Sequence, residues 1–169
     1  MRALCLLPIV LLGVAGAASA ENKFFPMKDP MTDAAGGIAA LNADGDLQVG
    51  IVCDARTGGQ MSVGLVSRQP VIDAQRPVKI RIDGGTPFEM PANYSGHGIL
   101  IENGAKPDSP GGKLISRLLT AKHIVLQILD SGDVPITDEF DLGDAADKIN
   151  QVFAACPDTA WSLKAKPSH

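Results

Sequence analysis

Two cysteines, Cys53 and Cys156, constrain this chain more than any other pair of residues. The third, Cys5, lies in an N-terminal stretch with the three-part pattern of a secretory signal. Arg2 supplies the positive end, Leu6 to Val14 is an apolar run, and Ala18-Ser19-Ala20 is a small-residue cleavage site. Pro8 and Gly13 break the run, which is shorter than the roughly 20 residues a spanning helix needs. Cleavage after Ala20 is therefore expected, and Cys5 leaves with residues 1–20. An exported protein left with two cysteines is expected to join them. Closing a loop of about 100 residues is worth up to about 4.7 kcal/mol in the chain-entropy model. There is no C-x-x-C, and the flanks of both cysteines are apolar or acidic, against a redox thiol or half a metal site. A structural bridge follows.

Signal removal leaves 149 of the 169 residues, one domain by length. Hydrophobic residues at 45% and charged residues at 20% describe a globular chain, not a disordered one. The formal charge moves from −4 to −5 with loss of Arg2, so no nucleic-acid partner is advertised. Aromatics at 4% also argue against a base-stacking platform or a sugar-binding groove.

The body of the chain reads mainly as strands. Leu47, Val49, Ile51 and Cys53 alternate with Gln48, Gly50 and Val52. Met61, Val63 and Leu65 form a second run, and Val78, Ile80 and Ile82 a third. Alternation of this period buries one side-chain set and turns the other outward. Asp44-Gly45 and Gly58-Gly59 sit where reversals are needed, Pro70 and Pro77 bracket a further connection, and Gly84-Gly85 ends the third strand. Phe88–Met90 and Ile99–Ile101 are weaker strands on either side of Asn93-Tyr94-Ser95-Gly96. His123–Leu129 and Ile136–Leu142 are further strand segments. Residues 21–35 read as polar and Pro-rich.

Two helices interrupt this pattern. Leu114, Ile115, Leu118 and Leu119 form an amphipathic stripe after a Ser109 cap and Pro110 in the first turn. A second helix over Asp144–Ala155 places Ala145, Ile149, Val152, Phe153 and Cys156 on one face. The expected fold is α+β: a mostly antiparallel sheet, curled or sandwich-like, with two packed helices and one disulfide. Residues 21–157 form the single domain and 158–169 a C-terminal tail, of which Trp161 is the residue suited to fold back.

The motifs tested for chemistry return little. Pro110-Gly111-Gly112-Lys113-Leu114 lacks two required positions of a phosphate loop, which fall on Pro107 and Leu114. Asn42-Ala43-Asp44-Gly45-Asp46 fails as a calcium loop, because its frame puts Ala40 and Ile51 at ligand positions. His97, His123 and His169 have no partner at metal-ligand spacing. Ser95, His97 and Asp83 make a triad on paper, without a G-x-S-x-G turn. Asn93-Tyr94-Ser95 is a glycosylation sequon and reads as an exposed loop. No catalytic, metal or cofactor-binding residue is assigned. Arg81-Ile82-Asp83-Gly84-Gly85 is the most distinctive local motif. It reads either as a solvated strand end with a surface Arg–Asp pair or as a charged patch, Arg81 and Asp83, that docks a partner.

Taken in order, these segments resemble a known family. Lys28-Asp29-Pro30-Met31-Thr32-Asp33 precedes a strand ending in Cys53; then come Arg81-Ile82-Asp83-Gly84-Gly85, the Leu114–Leu119 helix, Phe140-Asp141-Leu142-Gly143, and a helix ending Ala154-Ala155-Cys156. This order resembles the VasI/TagO-type exported proteins associated with type VI secretion, over almost the whole chain after the signal. More distantly it is similar to the invasion-associated locus B family. The resemblance implies a bacterial periplasmic, disulfide-bonded, non-enzymatic β-rich domain with an accessory role. It supplies no catalytic or metal residue.

The leading expectation is a periplasmic accessory or binding protein acting through contacts with an envelope or secretion-system protein. An inhibitor or immunity protein against a secreted or cell-wall-acting enzyme is the alternative. Its acidic balance would suit a basic target, since complementary charge raises the association rate. A hydrolase using Ser95 or His97 is the third reading.

Overall fold

The computed structural model describes residues 21–156 and Trp161. The signal segment 1–20, its cleavage site and the remainder of the tail lie outside the described residues. Among the described residues, seven strands form one antiparallel sheet with two helices. The strands are β1 (Lys23–Lys28), β2 (Ala35–Leu41), β3 (Leu47–Asp54), β4 (Gln60–Ile82), β5 (Phe88–Asn103), β6 (His123–Leu129) and β7 (Pro135–Asp141). The helices are α1 (Pro110–Leu118) and α2 (Ala145–Ala155).

The organising element is the long β4–β5 ribbon. β5 lies along one edge of β4. The first part of β4, from Gln60 to Ser67, also pairs with β3, and its last residues, Lys79–Ile82, with β6. The path β1-β2-β3 thus hangs from one end of the ribbon and β6-β7 from the other. Between the two ends the β4–β5 register slips, with extra β4 residues between Val66 and Val71 and again between Val71 and Ala74. Such bulges bend a ribbon and sharpen its twist. They also switch the buried parity on β4 from Met61, Val63 and Leu65 to Val78, Ile80 and Ile82.

This corrects several sequence expectations. Pro70 and Pro77 do not bracket a connection, and the second and third alternating runs belong to one 23-residue strand. Pro70 falls among the extra residues of the slip, where no ladder bond depends on its missing N–H. Pro77 faces Pro91; β6 pairs with β4 only from Lys79 onward, and β5 has no described strand on its outer edge. Likewise, Phe88–Met90 and Ile99–Ile101 are parts of one strand. The sequon lies inside it, with Tyr94 buried and its hydroxyl donating to the Pro77 carbonyl. Residues 23–28, read as a polar lead-in, form edge strand β1, which tolerates Pro26 because only one of its edges is paired.

The sheet curls until its two ends meet. Asp138 of β7 accepts hydrogen bonds through Oδ2 from the Asn42 side chain and the Leu47 backbone, both at 2.9 Å. Asn22 donates to the Leu142 carbonyl and to Asp144, while its own oxygen accepts from the Asn42 backbone. One core fills the curl, with α2 laid on β2, β1 and β3, and α1 on β5 and β4. Ser109 caps α1 by accepting from Gly112 N–H, as its sequence position predicts. Cys53 and Cys156 form the expected disulfide, tying the end of α2 to β3. Trp161, assigned to the tail, is fully buried against Phe153 and donates Nε1–H to the Ala105 carbonyl.

Candidate functional site

The charged motif singled out in the sequence becomes a turn. Ile82–Gly85 closes with Gly85 N–H donating to the Ile82 carbonyl at 2.9 Å, and Asp83 and Gly84 have φ of 50° and 68°. Positive φ at both central positions is the type I′ geometry that suits a hairpin, and Asp-Gly is a preferred pair for it. Oδ1 of Asp83 accepts the backbone N–H groups of Lys122 and His123 at 2.8 and 2.9 Å. These two bonds hold the Asp83 carboxyl below its ordinary range. Asp83 is thus engaged in joining the β4–β5 turn to the start of β6. Arg81 is exposed on the outward face of β4 and forms no ion pair among the described residues.

The paper triad is not assembled. Asp83 is engaged as above, and His97 donates from Nδ1 to the Ser67 carbonyl at 3.0 Å. No hydrogen bond joins Ser95, His97 and Asp83 among the described residues. His123 faces outward from a strand whose Ile124, Leu126 and Ile128 are buried, with Nε2 3.2 Å from Glu139. Among the described residues, no group of three or more His, Cys, Asp or Glu could hold a metal ion. Nor is any described helix long and apolar enough to cross a membrane.

A concavity lies elsewhere, on the outer face of β3, β4 and β5, opposite the core. It is an apolar groove of about 420 Å³. Gly50 and Gly64 face each other across β3 and β4 and floor it, while Val52, Val66 and Leu100 wall it. The bend of the ribbon adds Asn93 and Ser95 to the lining. Val66 and Leu100 are 46% and 40% exposed. The same face continues across the sheet as the in-register row Phe25, Ile38 and Val52, with Phe25 48% exposed. No lining residue is charged.

One glycine is indispensable to this shape. A Cβ on Gly64 would stand 2.5 Å from the Ile99 carbonyl oxygen, because a slip between Val63 and Gly64 presses β5 against β4 there. The sequence held a signal for the groove that alternation alone does not convey. Gly50 and Gly64 occupy strand interiors, where glycine marks a close approach or a bulge. β5 is also an open edge of 16 residues. All three edge strands carry a proline, Pro26 in β1, Pro135 in β7 and Pro91 in β5, a device that blunts strand pairing, but β1 and β7 are short and β5 runs on past Pro91 to Asn103.

Comparison with known proteins returns no matching family model, no matching curated protein and no matching solved structure.

Proposed function

We propose that this chain is an exported, non-enzymatic periplasmic binding protein of accessory type, acting through contacts with an envelope or secretion-system protein. The observation that supports it best is the uncharged apolar groove on the outer sheet face beside the open edge of β5. Burying a carboxylate or ammonium against such a lining, with no counter-charge, is costly, so the groove complements an uncharged aliphatic segment. An extended chain laid along β5 would supply one, pairing its backbone with the edge and placing alternate side chains in the groove. Monomeric surfaces seldom leave a contiguous apolar patch of this kind without a use. The resemblance to VasI/TagO-type proteins suggests where to look for the partner.

The test uses a photo-crosslinking residue at Leu100 in cells that make the protein, with the same residue at Gln151 on the exposed side of α2 as control. A discrete crosslink to an envelope protein from Leu100 alone is expected. It should vanish with Gly50→Leu, whose added side chain starts in open space, since a Cβ there meets only the Gly64 carbonyl oxygen at 4.0 Å. An equal crosslink from both sites, or one indifferent to Gly50→Leu, would remove the groove from the account.

A further inference from the structure

The charges around α1 are distributed unlike those of the rest of the molecule. From Ala105 to Lys122 the chain carries four cations, Lys106, Lys113, Arg117 and Lys122, against a single carboxylate, Asp108. None of the four forms an ion pair among the described residues, whereas seven of the other eight described Lys and Arg residues do. Lys113 and Arg117 are one helical turn apart on the exposed side of α1, whose opposite side is buried through Leu114, Ile115 and Leu118. They overlook a groove of about 210 Å³ between α1 and the start of β5, floored by Phe88, Met90 and Leu114.

Arg117 is held in a definite pose. Its Cζ lies 4.5 Å above the centroid of the Phe88 ring. A guanidinium placed over a ring face retains N–H groups with which to grip a carboxylate in two-point fashion. The acids nearby do not cancel this charge. Glu102 accepts from Gly111 N–H, and Glu89 on the rim of the groove lies 3.9 Å from Lys79. The first amides of α1 are also taken, Gly111 by Glu102 and Gly112 by Ser109. Side-chain cations, not a phosphate-type cradle of backbone N–H groups, make this surface positive.

We infer that the groove between α1 and β5 docks an acidic peptide segment of a protein partner, with one carboxylate on Arg117 and a second on Lys113. Charge complementarity points to the acid, and the apolar floor accommodates the methylene stem of a Glu side chain. A membrane surface fits less well. The apolar side of α1 is committed to the core and cannot insert, and a molecule with a net negative charge over its surface as a whole is repelled by a uniformly anionic sheet. This surface is separate from the outer-face groove, and its test does not depend on that reading.

The experiment titrates isotope-labelled exported protein with an end-blocked hexaglutamate peptide. Hexalysine and phosphatidylglycerol vesicles serve as comparisons. Binding of hexaglutamate is expected, with amide shifts gathered on residues 88–90 and 110–118. It should weaken sharply as salt rises from about 0.01 to about 0.1 M, over which the Debye length falls from about 30 to about 10 Å. Arg117→Lys should cost about tenfold in affinity, the worth of one charge-assisted hydrogen bond. Lys113→Glu, at an exposed position away from the Phe88 contact, should abolish binding without moving the unfolding midpoint. Absence of binding, shifts centred on the Arg81 face, or indifference to Lys113→Glu would overturn the assignment. Vesicle binding that hexaglutamate fails to displace would overturn it in favour of a lipid surface.

Discussion

The indole of Trp161 stacks on the ring of Phe153, with centroids 5.1 Å apart and planes inclined by 24°. A residue C-terminal to α2 therefore helps to complete the core. Trp161→Ala should cost about 3–5 kcal/mol, the range for deleting a large buried aromatic. Trp161→Phe keeps a ring but leaves the Ala105 carbonyl without its donor, and should cost about 1–2 kcal/mol. Urea unfolding followed by far-ultraviolet circular dichroism measures both, since the alanine variant has no tryptophan left to report.

The disulfide closes a loop of 103 residues between Cys53 and Cys156. Protein beginning at Glu21, and so lacking Cys5, should when denatured show no free thiol until reduced, and then two. Replacing both cysteines by alanine should lower stability by about 2–5 kcal/mol. Thiol titration and paired urea curves check the two statements. A free thiol in unreduced protein of residues 21–169 would count against the pairing.

Asp138 is the point at which the curled sheet closes. Asp138→Ala would leave the buried Leu47 N–H without its acceptor and the buried Asn42 amide with only the Leu47 carbonyl of its two. A loss of about 1–3 kcal/mol is expected, with Asp138→Asn intermediate. Amide exchange at Leu47 should accelerate in the alanine variant beyond what its global stability change explains.

Asp83 gives the molecule an acid-sensitive joint. Its native carboxyl is more acidic than an ordinary one, so the unfolded chain binds the proton more readily. The resulting stabilisation is present above the ordinary carboxylate value, about pH 4, and is lost as pH falls through it toward the lower native value. Asp83→Asn keeps the acceptor oxygen but not the charge. It should be less stable than the parent at neutral pH, by a margin that narrows at an acidic pH below the ordinary carboxylate value of about 4. Urea midpoints at the two pH values decide this, and a constant gap would place the effect elsewhere.

Gly64 and Gly50 face one another across two strands but differ in tolerance. Gly64→Ala drives a methyl group into the Ile99 carbonyl and should cost about 1–3 kcal/mol. Gly50→Ala meets nothing nearer than 4.0 Å and should be close to neutral or slightly stabilising. Thermal unfolding of the two variants side by side is sufficient.

Much of the fold was readable from local chemistry. His123–Leu129 was drawn to the residue, because a β-branched run with one buried parity has a single reading. Both helices followed from the Ser109 cap, Pro110 and the Ile149 to Phe153 stripe. What failed was connectivity across Pro70 and Pro77. A proline marks a missing donor, but only tertiary pairing reveals whether that donor was needed. The candidate site was less legible. Arg81 and Asp83 stood out as a motif, yet the use of Asp83 depends on Lys122 and His123, forty residues away in sequence. The groove has no chemical motif; Gly50 and Gly64 inside strands hint at a close approach, but they meet the valines around them only when strands align.

The β4–β5 ribbon has one more implication. Because a single strand from Gln60 to Ile82 serves both ends of the sheet, the unfolding of one end is expected to be coupled to that of the other. A chain that looks like two small sheets is therefore one cooperative unit. Its assembly waits on a long hairpin whose partners lie up to about forty residues apart, so folding should be slow for a domain of this length. A protease that severs the ribbon near its bend would not release a stable half.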